Sequence, residues 1–309
     1  MRRGLIAASL AALFQLAAPG VQAHDPSQAT YLGNEGVLVT HGDTKVLFDA
    51  FYADSYGQYT LVPDDIVESM MAGEPPYDGV DAIFVSHVHG DHFTAKPAIR
   101  YLRKHPKVRL YGSRQTLDAI AGELESDDPI LRRITVVDLR PHDEAKHLHV
   151  NDLDIDVVAI PHAGGPSRAD VQNLSWRVTL DDDTTVIHFG DADPNRPDFD
   201  RHGEHFKARH LNAAFPPYWF FGNEEGESIM RTYMDADRVI GIHVPAAAIG
   251  NGEAWRQRAG GDLFTDPGES RSLADPPPED GIEDTEPDAE MDAKSVSDQP
   301  KAERRKAAK

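Results

Sequence analysis

Between Ser86 and His92 the chain reads Ser86-His87-Val88-His89-Gly90-Asp91-His92, which puts three histidines and one aspartate within six consecutive positions. The segment follows directly on the compact apolar run Asp81 to Ser86, which reads as a strand. A strand end is rigid, and the loop beyond it can turn several side chains toward one point. His87 and His89 are two residues apart, so they converge if the local backbone stays extended. Gly90 permits a sharp turn, after which Asp91 and His92 face a second point nearby. Neutral imidazole and carboxylate are donors that zinc, manganese and iron accept. A single histidine here would read as a solvated loop residue; four ligand-type side chains at this density read as a metal site.

The chain has no cysteine, so a metal must be held by nitrogen and oxygen alone, and an exported protein of this kind has no disulfides to support its core. One loop cannot complete a coordination sphere. Three downstream segments close apolar runs with further ligands: Ile160-Pro161-His162, His188-Phe189-Gly190-Asp191, and Ile242-His243-Val244-Pro245. Each alone is an ordinary strand boundary. Together they have the order of a site assembled from several strand ends.

The pattern around them is mixed. Gly36 to Thr40 and Lys45 to Asp49 flank the turn signal His41-Gly42-Asp43 and predict a hairpin. Thr94 to His105 carries Ala95, Ile99 and Leu102 at helical spacing, with Pro97 in the first turn and Pro106 as the stop. Leu153 to Ile160 alternates as a strand. Leu174 to Leu180 and Thr184 to Phe189 form a second hairpin across Asp181-Asp182-Asp183. Ser228 to Asp235 reads as a helix, and Arg238 to Ile242 as a last strand. No internal repeat is visible. This order predicts an α/β architecture of two packed sheets with helices outside.

At this point the chain resembles the metallo-β-lactamase superfamily, whose motif is His-x-His-x-Asp-His followed by a later His, Asp and His. The match runs from about Tyr31 to His243. Within the superfamily it looks most like the lactonases acting on ascorbate 6-phosphate and the N-acyl phosphatidylethanolamine phospholipase D. Tyr31-Leu32-Gly33-Asn34, Val46-Leu47-Phe48-Asp49 and Leu174-Ser175-Trp176 carry that finer similarity. The resemblance implies an αββα sandwich and a site for two divalent metal ions, with zinc as the default outside the cytoplasm and manganese or iron as alternatives. It implies that His87, His89 and His162 hold one ion, that Asp91, His92 and His243 hold the other, and that Asp191 bridges them. Asp91 would then also take the proton of the attacking water. The turn usually written Gly-Asp-Thr-Gly reads Gly190-Asp191-Ala192-Asp193 here. An aspartate at the bridging position argues against β-lactam hydrolysis, and the lack of a flavodoxin-like domain argues against the oxygen-reducing di-iron relatives.

Other residues carry weaker signals. Asp49 ends a strand and could orient a metal-bound imidazole, or simply begin a turn. His188 could serve as an acid, although a core histidine is the plainer reading. Pro216-Pro217-Tyr218-Trp219-Phe220-Phe221 could wall a substrate pocket or pack in the core. His147 and His149 share a strand face and read as exposed. His24 could chelate a cation at a mature N-terminus.

Arg2 and Arg3, the uncharged stretch Leu5 to Val21 and the sequence Val21-Gln22-Ala23 have the order of a secretory signal cleaved after Ala23. Gln15 and Pro19 interrupt the stretch, which is shorter than the roughly 20 apolar residues of a bilayer span. The expectation is a periplasmic or secreted protein with no stable membrane insertion after cleavage. From Gly261 to Lys309 the chain turns acidic and proline-rich with a basic end, which predicts a disordered tail after a domain spanning 24–260. The net charge of −21 disfavours a nucleic-acid partner and an anionic membrane surface. The leading expectation is a hydrolase of a small-molecule lactone, ester or phosphodiester, ahead of a nuclease of the same fold and a non-catalytic metal-binding protein.

Overall fold

The computed structural model describes residues 27–274. The expected leader, His24 and the chain beyond 274 lie outside that range. The first half runs β1 (Gln28–Gly33), β2 (Gly36–His41), β3 (Thr44–Phe48), α1 (Asp64–Ala72), β4 (Ala82–Phe84), α2 (Ala95–Lys104), β5 (Arg109–Gly112), α3 (Arg114–Ala121) and β6 (Ile134–Val136). The second runs β7 (Lys146–Val150), β8 (Leu153–Ala159), β9 (Leu174–Leu180), β10 (Thr184–His188), α4 (Arg196–Arg201), α5 (Gly203–Lys207), β11 (Ala213–Phe215), α6 (Glu224–Tyr233), β12 (Ile240–Gly241), α7 (Gly252–Ala259), β13 (Asp262–Leu263) and β14 (Ser270–Ser272).

One sheet has the order β14-β1-β2-β3-β4-β5-β6 and the other β11-β10-β9-β8-β7. Period-two alternation sorts their side chains into layers. Val37, Val39, Val46, Phe48 and Phe84 of the first sheet pack between the sheets against Ile155, Val157, Trp176 and Val178 of the second. Leu38, Leu47, Ile83 and Leu110 point the other way, onto Met70, Ala98, Leu102 and Ile120 of α1, α2 and α3. Val158 and Ile187 likewise leave the second sheet to meet Phe199, Phe206 and Ile229 of α4, α5 and α6. The result is the expected αββα sandwich. Trp176, fully buried, ties the sheets together by donating its indole N–H to the Val85 carbonyl at 3.0 Å, at the point where β4 leaves the sheet.

Both expected hairpins are present, with β2 against β3 and β9 against β10, each antiparallel. In the second turn Asp181 and Asp182 take positive φ (52° and 58°), a conformation that aspartate tolerates better than most residues. The helix expected from Ser228 starts earlier, at Glu224, because Asn223 caps it by accepting from the Glu225 amide. The last strand before His243 shrinks to Ile240–Gly241, paired in parallel with β13.

The expected tail boundary at Gly261 is too early. β13 and β14 lie beyond it, and β14 extends the first sheet through Gln28↔Ser272 and Thr30↔Ser270. Leu263, Phe264 and Leu273 are buried, and Phe264 stacks on Tyr31 at 5.4 Å. The acidic, proline-rich average of the whole segment hides these three apolar residues. They bury enough surface to hold their strands, whatever the composition that follows.

Candidate metal centre

The site lies where the chain leaves β4, β8, β10 and β12. His87 follows β4 by three residues, and its Nε2 lies 3.0 Å from His89 Nδ1, as the extended-backbone argument requires. His162, after β8, brings its Nε2 within 3.0 Å of the same His89 nitrogen. Asp191 follows β10 and His243 follows β12. The seven residues expected as ligands fall into two adjoining groups: His87, His89, His162 and Asp191, and then Asp91, His92 and His243.

Asp191 stands between the groups. Its Oδ2 faces His162 Nε2 at 3.1 Å and His87 Nε2 at 3.9 Å. Its Oδ1 faces His92 Nε2 and His243 Nε2, both at 3.2 Å. Asp91 Oδ2 completes the second group, 3.4 Å from His243 Nε2 and 3.7 Å from His92 Nε2. The site residues are buried or nearly so, yet His92 Nε2, His243 Nε2 and Asp191 Oδ1 make no hydrogen bond. Buried polar atoms are almost always satisfied. Unpaired lone pairs aimed at a common centre, from nitrogen and oxygen donors, fit divalent cations. The donor set therefore agrees with the metal site that the sequence implied.

The far nitrogen of three of the rings is engaged in a way that frees the ligand atom. His92 Nδ1 donates to Asp49 Oδ2 at 2.9 Å. His87 Nδ1 donates to Ser86 Oγ at 3.0 Å, and that hydroxyl in turn donates to Asp49. His162 Nδ1 donates to the Ala163 carbonyl at 2.5 Å. Each bond fixes a tautomer with Nε2 unprotonated. Asp49 is thus the orienting carboxylate its position suggested, and its other oxygen accepts the Ser86 amide at 2.7 Å. Replacement by asparagine should weaken metal affinity about 10- to 100-fold, the usual cost of losing an outer-shell partner. Competition against a chromophoric chelator would measure it; unchanged affinity would show that Ser86 alone orients the ring.

Electrostatics follow the geometry. Burial, reinforced by neighbouring imidazoles, holds His87 well below the usual histidine range and His89 down at about 4, so both stay neutral and able to coordinate. Burial would raise Asp191, but positive charge at His243 and His92 outweighs it and holds the carboxyl well below its ordinary value, a role that bound cations would take over once those rings coordinate as neutral donors.

Three residues that sequence reasoning did not assign shape this site. Asn173 Oδ1 accepts the Asp191 amide at 3.0 Å, while its Nδ2 donates to the carbonyls of Ile160 and Phe189 at 3.2 and 3.1 Å. It ties the ends of β8 and β10 together. Asn34, in the β1–β2 turn, donates to the Asp91 carbonyl at 2.9 Å and accepts the His243 amide at 2.8 Å. Both Asn34 and His243 adopt positive φ (44° and 60°) at that junction. Glu35 is completely buried, its Oε2 lies 3.5 Å from His92 Nδ1, and burial pushes its carboxyl well above the usual range. The signal in the sequence was an amide and a carboxylate inside the tight Gly33–Gly36 turn, where solvent-facing residues are the default.

His188 is a core residue. Its Nε2 donates to the Glu35 carbonyl at 2.9 Å, its ring stacks on Phe48, and it is fully buried away from the cavity. Gly90 is not in a left-handed conformation; a Cβ there would come within 3.0 Å of the Asp54 Cβ, and close approach is what selects glycine. Of the aromatic run, Trp219 lines the cavity over the metal ligands, whereas Tyr218, Phe220 and Phe221 pack in apolar clusters. His147 and His149 are exposed and pair with Asp156 and Asp154.

Solved structures of the same fold include the metallo hydrolase Igni18 of Ignicoccus hospitalis (TM-score 0.53, 12% identity, 80% of this chain and 98% of that one), an isothiocyanate hydrolase from Delia radicum gut bacteria (0.50, 15%, 79% and 98%), and a mutant of the CmlA β-hydroxylase (0.50, 14%, 82% and 55%). No curated protein matches the sequence. The family model described as the beta-lactamase superfamily domain matches residues 44–220, more than half of the chain and the whole segment from His87 to Asp191. With the αββα layers and the two ligand groups in place, the chain belongs to the metallo-β-lactamase superfamily, a family of metallo-hydrolases, and these side chains are its candidate metal-binding residues.

Proposed function

We propose that the protein is a dinuclear metal-dependent hydrolase of a small-molecule ester, lactone or phosphodiester. One observation carries the reading: the two oxygens of Asp191 address two different histidine groups, Oδ2 toward His162 and Oδ1 toward His92 and His243. A carboxylate so placed would serve two cations, one in each group, rather than one. His87, His89 and His162 would hold one ion, Asp91, His92 and His243 the other. Zinc, manganese and iron all suit this all-nitrogen-and-oxygen set. When bound, such ions supply Lewis acidity and a water that ionises near neutral pH.

The chain's own residues supply the rest. Asp91 lines the cavity, and its carboxylate can take a proton from the attacking water. Asn34 holds the Asp91 backbone in that position. Tyr59 also lines the cavity with its ring edge on His243 at 4.2 Å. Burial, with Asp191 and Asp91 nearby, pushes its phenol up to about 12, so it stays protonated and remains a hydrogen-bond donor toward substrate. The isothiocyanate and metallo hydrolases of the same fold are consistent with hydrolysis, while a hydroxylase on that fold shows that the site, and not the architecture, must choose the chemistry.

The test is metal analysis of the purified protein joined to a panel of esters, lactones and phosphodiesters, each assayed before and after chelation. Two ions per chain and chelator-sensitive turnover are expected. No bound metal after reconstitution with zinc or manganese would end the hydrolase reading. Chelation should also lower the melting temperature. A ligand present at 100 times its Kd stabilises the fold by about 2.7 kcal/mol, which corresponds to a Tm shift of roughly 5–10 °C for a domain of this size. Differential scanning calorimetry would read it, and coincident curves would mean that no cation stabilises the native state.

A further inference from the structure

The cavity over the metal ligands has a volume of about 590 Å³, and among the described residues Arg168 is the single lysine or arginine on its wall. The residue sits at the end of a short turn, Gly165–Arg168, that follows His162 closely. Gly164 and Gly165 both take positive φ (105° and 69°), and a Cβ on Gly164 would come within 3.2 Å of the Arg168 Cγ. The two glycines let the chain reverse and leave room for the arginine stem to lie back toward the metal ligands. There Arg168 Nη1 lies 3.1 Å from His89 Nε2.

That contact has a chemical consequence. A guanidinium has only donors, so His89 Nε2 must be the acceptor. The ligand atom of His89 is Nδ1, the nitrogen facing His87 and His162. An imidazole that gives Nδ1 to a cation carries its proton on Nε2, where it confronts the arginine donor to donor. The two uses of His89 exclude each other. When Nδ1 is a ligand, Arg168 is left with free donors at the cavity wall. Among the described residues no carboxylate lies within 4.0 Å of its guanidinium. Around it the cavity carries Asp91 and Asp191, in a protein of net charge −21, and among the described residues lining it an anion meets no other arginine or lysine.

We propose that Arg168 forms an anion subsite, released by metal binding at His89, and that the substrate carries a carboxylate or phosphate group beside the bond that is cleaved. The proposal rests on the metal-site reading for its binding step and on the hydrolase reading only for its reaction. A guanidinium pairs with either group through two parallel N–H···O bonds, which lysine cannot reproduce.

The experiment uses the full chain reconstituted with zinc, as wild type, Arg168→Ala and Arg168→Lys. Inorganic phosphate is titrated by calorimetry, with metal content measured on the same samples. The alanine variant should bind phosphate at least about ten-fold more weakly at unchanged metal content, with the lysine variant between. Equal phosphate affinity in wild type and Arg168→Ala overturns the subsite. Turnover is then compared on a neutral ester, 4-nitrophenyl acetate, and on nitrophenyl esters bearing a carboxylate or a phosphate. Loss of kcat/KM in Arg168→Ala confined to the charged esters supports the proposal, and the more affected ester identifies the preferred anion. An equal loss on all three overturns it while leaving the hydrolase reading intact. Weakened phosphate binding in a protein that cleaves none of them supports the subsite and excludes simple nitrophenyl esters as substrates.

Discussion

Asp191→Asn should abolish most activity and take bound metal with it. The substitution keeps shape and removes one negative charge from a position that faces His162 with one oxygen and His92 and His243 with the other. An amide offers a weakly donating oxygen to one side only, and its NH₂ group points at lone pairs on the other. On the proposed dinuclear reading, metal content should fall from two ions per chain toward one or none. Turnover should drop by at least about a thousand-fold, the upper range for removal of a single preorganised electrostatic element. The fold should survive, because Asn173 holds the Asp191 backbone rather than its side chain. Metal analysis, kinetics and far-ultraviolet circular dichroism on one preparation would separate these effects. Two ions and wild-type turnover in the variant would refute the bridge.

The second large effect is expected one residue earlier. Gly190 has φ +55°, and a Cβ there would lie 2.4 Å from Asn173 Oδ1 and 2.5 Å from the Ser86 Cβ. Gly190→Ala therefore combines left-handed strain, about 1–2 kcal/mol, with overpacking against two fixed neighbours, about 1–3 kcal/mol. A fall in Tm of roughly 10 °C follows for a domain of this size. Asn173 and Ser86 must both move, and both organise the site: Asn173 positions the Asp191 amide, and Ser86 links His87 to Asp49. Metal affinity should fall along with stability. Gly57→Ala is the control, because Gly57 has φ +66° but nothing within 4 Å of the added carbon. It should cost only the strain, on the order of 1 kcal/mol, and leave metal binding alone. Equal melting temperatures for the two variants would show that crowding at Gly190 is relieved without cost.

Both predictions turn on residues of unequal visibility. Asp191 was legible in the sequence because a carboxylate after an apolar strand, in series with His87, His89, Asp91, His92, His162 and His243, has the order of an assembled site. Gly190 was visible only as part of a turn motif. That a side chain cannot fit there depends on Asn173 and Ser86, 17 and 104 positions away in the chain respectively, arriving from β9 and β4. No local pattern encodes such a contact.

The layers were equally readable. Alternation along Leu153 to Ile160, and helical spacing at Ala95, Ile99 and Leu102, are local consequences of the repeat of strand and helix. They predicted two sheets with helices outside, and the structure has them. Short elements escaped. β13 and β14 are two and three residues long, and their stability comes from Leu263, Phe264 and Leu273 docking on a surface made elsewhere. Composition averaged over that segment pointed to a tail.

The sequence by itself determined the candidate ligand types, their order and the strand ends that carry them, because metal chemistry restricts the donors and strand periodicity restricts where they can point. Only the tertiary structure decided the rest: that Asp191 turns its oxygens to opposite sides, that Asp49 and not a more distant group orients His92, that Asn34 joins Asp91 to His243, and that Arg168 leans on His89. Each of these is a directional contact between residues far apart in the chain. Hydrogen bonds weaken steeply with angle and distance, so they are set by how the two sheets close on one another, which no single segment specifies.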